Sequence, residues 1–208
     1  MLFAPNAQGY IDHAVVLDWF STCSDAISKQ KSTVINWLAN GGLSPAPVNL
    51  PDAALYATPE YLEQYFSDVL RELELSAVLW LVTYCEGRLR VDLRGRLKDT
   101  DFLAAQMKKL HDSKNEEFLI PLVDDGILDC WKSFMRHQVP QPQQDKCVHA
   151  LGAIKSSIKL RHWLAHGRYW DAKLNISDFE IASVNGVLSK FFDGLAVAVS
   201  STGIRDLA

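Results

Sequence analysis

The densest run of chemically capable side chains is Leu160-Arg161-His162-Trp163-Leu164-Ala165-His166-Gly167-Arg168-Tyr169-Trp170. It closes a helical pattern rich in basic residues. An imidazole in the last turn of a helix is favoured as a cation by the helix dipole, while Lys159 and Arg168 oppose that charge. Such a group can trade protons near neutral pH, as a general acid or base requires. Arg161 offers a planar fork of donors suited to a phosphate and to the charge that builds up in a phosphoryl transition state. Together they have the chemistry for cleaving RNA without a metal. His166 moves the proton of the 2′-hydroxyl or the leaving group, and Arg161 steadies the phosphorane.

Metal chemistry fits less well. His162 and His166 are spaced i, i+4 on one helix face, but position 163 is Trp, so the H-E-x-x-H pattern fails. No His has a Glu three residues before it, which removes the di-iron bundle pattern. Cys147 and His149 read as a buried thiol beside a polar His. Neither a metal nor a cofactor is expected.

Arg161, the polar His162 and His166 after four intervening residues, followed by Gly167, resemble the motif of the HEPN superfamily (higher eukaryote and prokaryote nucleotide-binding domains). The resemblance covers roughly residues 58–200 and implies an all-α, HEPN-like helical bundle. It further implies a homodimer whose composite site holds Arg161, His162 and His166 from each chain, with Lys159, Arg168 and Tyr169 as substrate contacts. The implied activity is a metal-independent endoribonuclease acting on RNA, of the kind found in toxins and phage-defence effectors that answer to an antitoxin or regulatory protein. In one HEPN branch a Tyr two residues after the His is modified; here Tyr169 lies three after. The alternative is a non-catalytic HEPN module that binds nucleotide, RNA or a partner protein. Tyr169, Trp163 and Trp170 have a second reading as packing and interface anchors.

The elements that must position these groups are helical almost throughout. Apolar spacing predicts a helix over residues 11–38, stopped by Asn40-Gly41-Gly42. Residues 43–57 hold three prolines and read as a linker. Thr58-Pro59-Glu60 is a helix start, and the stretch to Lys98 reads as one long helix or two in line, with 75–85 apolar on all sides. Shorter helices are expected at 101–111 and 121–137, then 145–166, and a last one from a Ser177–Glu180 capping box to about Ser201. The expected organisation is an N-terminal helix and Pro-rich loop (1–57) as an extension, followed by the bundle (58–208).

Composition sets the outer limits. The chain has 208 residues, 48% hydrophobic and 22% charged, with six Trp, six Tyr and nine Phe. This is enough for a packed core without metal or disulfide staples. Four scattered cysteines, Cys23, Cys85, Cys130 and Cys147, form no C-x-x-C pair and read as reduced thiols. The first residues lack a basic run, and 75–85 is too short to cross a bilayer. No signal peptide and no membrane partner are expected, and the location expected is cytoplasmic. Net charge is −4, so total charge does not announce a polyanion partner. Locally it does: Lys146 to Trp170 holds no acid. A second cluster of Arg88, Arg90, Arg94, Arg96 and Lys98 is broken only by Asp92. Two basic helices raise the expectation of a polyanion surface against that of a solvated face.

Overall fold

The computed structural model describes residues 12–42, 58–114, 120–141, 143–166, 179–204 and 206. Within them the chain is all-helical and has no strand. The helices are α1 (His13–Ala39), α2 (Pro59–Arg96), α3 (Phe102–Asp112), α4 (Ile127–Gln138), α5 (Gln143–Ala165) and α6 (Ile181–Thr202). The fold is a helical bundle. The chain separates into two compact units, one of residues 14–77 and the other of residues 1–13 and 78–208.

In the smaller unit, Val34 of α1 packs with Leu62 and Phe66 of α2, flanked by Ile27, Leu38 and Tyr65. Lys31 and Glu63 add an ion pair. α1 stops where glycine permits a left-handed turn: Gly41 and Gly42 have φ of 75° and 63°. The Gly42 N–H donates to Trp37 O at 3.1 Å, closing a Schellman-type end. At the start of α2 the Tyr61 N–H donates to the Thr58 hydroxyl oxygen at 3.3 Å, as the Thr-Pro-Glu signal predicts. α2 then runs as one helix of 38 residues rather than two in line.

The larger unit is built on the second half of α2, where no residue from Val78 to Leu93 is exposed. α3 packs on α4, α4 on α5, and α5 on α6. Asp92 and Arg96, one turn apart on α2, are both fully buried, and Arg96 Nε donates to both Asp92 carboxylate oxygens at 2.9 Å. The Arg96 guanidinium also stacks 5.0 Å from the Trp131 ring, tying α4 to α2. α5 and α6 approach closely at Gly194, where an added Cβ would meet Ala150 Cβ at 3.5 Å and Cys147 Cα at 3.6 Å. The buried Cys147 thiol donates to Gly194 O at 3.1 Å. By length and composition alone, α6 also meets the measure of a membrane span. Its Val184, Leu188, Phe191, Leu195 and Val199 are buried in the bundle.

Two helix starts differ from the sequence expectation. α4 begins at Ile127 rather than Pro121, because residues 121–126 fold back as a backbone cap. Ile127 N–H donates to Pro121 O at 3.0 Å and Leu128 N–H to Leu122 O at 2.9 Å. These bonds satisfy donors that a helix N-terminus otherwise leaves open. The reversal puts Asp124 and Asp125 at φ of 55° and 63°. Gly126 is forced, since a Cβ there would stand 2.2 Å from Pro121 O. α6 begins at Ile181 with Glu180 as its N-cap residue, so Glu180 is not the third helical residue of a capping box. Ser177 lies outside the described residues. Asp101, by contrast, caps α3 through its side chain, accepting the Ala104 N–H at 2.9 Å.

Candidate functional site

Glu86 sits about three quarters of the way along α2, and its carboxylate is shared by two arginines. Oε1 accepts from Nε and Nη2 of Arg90, both at 3.0 Å, while Oε2 faces Arg161 Nε of α5 at 3.4 Å. The side chains of Glu86, Arg90 and Arg161 are 16%, 24% and 29% exposed, so this is a half-buried network rather than a surface pair. Arg161 Nε is buried and not aligned for a hydrogen bond, leaving charge attraction as its tie to Glu86. Arg90 also donates from Nη1 to Ile120 O at 3.2 Å, which anchors the network to the segment before α4. Glu86 thus orients two basic groups.

The histidines lie elsewhere on the same helix. His162 and His166 are exposed, with ring centroids 4.3 Å apart. The His166 N–H donates to His162 O at 3.2 Å, so the helical path holds through His166. Five residues on an ideal helix turn through about 500°, which sets Arg161 and His166 roughly 140° apart. The contacts agree with this arithmetic: Arg161 turns towards α2, and the imidazoles turn to solvent. One chain does not aim Arg161 and His166 at a common point.

Lys159 is exposed on α5, three residues before His162. Arg168 and Tyr169 lie outside the described residues, as do Gly167 and Trp170. Among the described residues, no three His, Cys, Asp or Glu side chains gather as metal ligands. Burial lifts the thiols of Cys85, Cys130 and Cys147 above the ordinary range, to about 11 for Cys130, where Asp129 adds to the effect. Buried protonated thiols are poor nucleophiles.

The second basic cluster is not the surface that its sequence suggests. Arg90 is spent on Glu86 and Arg96 on Asp92. Arg88 lies over the Phe192 ring at 4.5 Å and donates from Nη1 to the Tyr84 hydroxyl at 3.2 Å. Arg94 and Lys98 are the exposed members of the cluster. A charge run on a helix with acids one turn away folds onto those acids, and reading the run without its i, i+4 partners hides this.

On α4, Asp129 takes Lys155 of α5 at 3.1 Å and the N–H groups of Asp125 and Gly126 at 3.0 and 3.4 Å. Burial raises its pKa, but the Lys155 bond and charge and the two backbone donors outweigh burial and hold the carboxyl below its usual range. A groove of about 610 Å³ runs along the seam of α5 and α6, lined by Cys147, Ala150, Val187 and Gly194 among others, and Arg161, His162 and His166 are not among its described lining residues. No protein family, curated protein or solved structure matches this chain.

Proposed function

We propose that the chain is a metal-independent endoribonuclease of the HEPN type. It acts as a homodimer with a composite Arg/His site, in the role of a toxin or phage-defence effector under a regulatory partner. The observation that carries this reading is the Glu86–Arg161 pair at 3.4 Å on one side of the end of α5, with an exposed His162–His166 pair on the other. Glu86 attracts Arg161 through its buried Nε while the side chain stays 29% exposed, and the remaining guanidinium donors are the ones a phosphate would take. The histidines stand at the surface, where a strand of RNA can reach them.

In the reaction a neutral imidazole takes the 2′-hydroxyl proton as that oxygen attacks phosphorus. A protonated imidazole then gives a proton to the departing 5′-oxygen. Arg161 bears the added charge on the non-bridging oxygens. The products are a 2′,3′-cyclic phosphate and a 5′-hydroxyl. Because Arg161 and His166 diverge within one chain, the arginine of one copy works with the histidines of the other.

The test is cleavage of end-labelled RNA in excess EDTA, with product ends identified. Cleavage to cyclic phosphate ends supports the reading. Inactivity across several RNA pools, by a protein shown to be folded and dimeric, overturns it in favour of the non-catalytic module. The turning of Arg161 away from His162 and His166 within one chain is the observation that favours this second reading, because a Glu86–Arg161 pair also serves simply to hold a helix end.

A further inference from the structure

α4 and α5 enclose a second groove, of about 400 Å³, whose lining includes Lys132, Arg136, His149, Lys155, Val148 and Gly152. None of the described residues that line it is acidic. Lys155 is held by Asp129, but Lys132 and Arg136 make no ion pair among the described residues. They stand i, i+4 on α4, so they share one face of that helix. The lining surface is mostly apolar, and in a chain that is acidic as a whole, at −4, the basic residues Lys132, Arg136 and Lys155 that border it are a local exception.

The groove continues along α5 towards the site. His149, Gly152, Ser156, Lys159, His162 and His166 recur every three or four residues, and all are exposed. They form a band about 25 Å long at the helical rise that winds through about 140° of the helix surface. No acidic residue interrupts α5 after Asp145. Gly152 lies at mid-helix, and a Cβ there would meet nothing within 4 Å. Internal packing therefore does not explain a glycine at a position where alanine favours the helix. A backbone left bare in the lining of the groove permits close approach of a ligand.

We propose that this groove and band form a binding track for the phosphodiester backbone of single-stranded RNA, with Lys132, Arg136 and Lys159 as its phosphate contacts. The proposal rests on the ribonuclease reading for its choice of polyanion. Its length matches a run of about four to seven phosphates leading to His162 and His166. Lys132 and Arg136 act on affinity and register, since they lie two to three turns of α5 away from the histidines.

The experiment is fluorescence anisotropy with a labelled 20-nucleotide RNA carrying 2′-O-methyl riboses, which binds but lacks the nucleophile. The full-length protein is compared with K132E/R136E at several salt concentrations. The expected result is at least about a tenfold rise in Kd and a fall of roughly 1 to 1.5 in the slope of log K against log salt. The neutral pair K132Q/R136Q, expected to lie between, keeps the test open should the reversed charges unfold α4. Equal binding by the variants and the unmodified protein overturns the track, as does absence of binding by the unmodified protein at low salt. Displacement of the RNA by poly-glutamate at equal charge concentration also overturns it, in favour of an acidic protein partner. The ribonuclease reading is tested apart from this: cleavable RNA that binds with the expected salt slope and is not cut leaves the track standing and removes the enzyme.

Discussion

Arg161 Nε and Glu86 Oε2 stand 3.4 Å apart, and the same Glu86 carboxylate accepts two hydrogen bonds from Arg90. One half-buried acid therefore fixes the direction of an arginine near the end of α5, on the side away from the exposed His162 and His166. Glu86→Gln keeps the shape and removes the charge. It is expected to lower RNA cleavage by about a hundredfold through misplacement of Arg161. Its cost in stability is about 1–2 kcal/mol, because two arginines lose their counter-charge. Cleavage rates and urea midpoints, measured on one preparation, check both numbers.

The fully buried Asp92–Arg96 pair holds α2 against Trp131, and removing one member leaves the other buried and charged. Asp92→Asn is expected to destabilise the protein by about 3–5 kcal/mol. Chemical denaturation followed by circular dichroism measures this, and a loss below 1 kcal/mol would contradict the account of this pair.

Asp129 is held below its usual pKa by Lys155 and two backbone donors despite the opposing effect of burial. Its folded pKa lies below its unfolded value, so its contribution is fully present above the unfolded value near pH 4. The contribution disappears as pH falls through the folded value. Asp129→Asn is expected to lose about 1 kcal/mol at pH 7. The difference between the two proteins should shrink towards pH 3, and denaturation at both pH values decides the matter.

Two glycines predict opposite outcomes. Gly126→Ala drives a methyl group into the Pro121 carbonyl and should unfold the α4 start, costing about 3 kcal/mol or more. Gly152→Ala meets nothing and should raise stability by up to about 1 kcal/mol. Thermal melts of the two variants give the signs directly.

These contrasts mark what was legible in the chain. The end of α1 at Gly41-Gly42 and the start of α2 at Thr58 were readable because their signals are local: a left-handed glycine and a hydroxyl cap. The start of α4 was not. Its cap is made by the carbonyls of Pro121 and Leu122, and backbone acceptors leave no mark in residue types. For the site, sequence placed Arg161, His162 and His166 on one helix end, and helical arithmetic foresaw their divergence. Glu86 carries no mark in the residue types around it, because its tie to Arg161 spans 75 residues that only folding brings together. Lys132 and Arg136 went unnoticed for the same reason: two cations on a short helix gain meaning only beside His149 and Lys155 of another helix.

Arg161 of one copy and His166 of a second are proposed to act on one phosphate. Mixing Arg161→Ala protein with His166→Ala protein, after dissociation and reassembly, tests it most directly. Each variant alone should cleave RNA in EDTA at least about a hundredfold more slowly than the unmodified protein. The mixture should rise at least about tenfold above either alone, since mixed dimers would restore one intact pair across the interface. A mixture no more active than its components, with mixed dimers shown to be present, would contradict it.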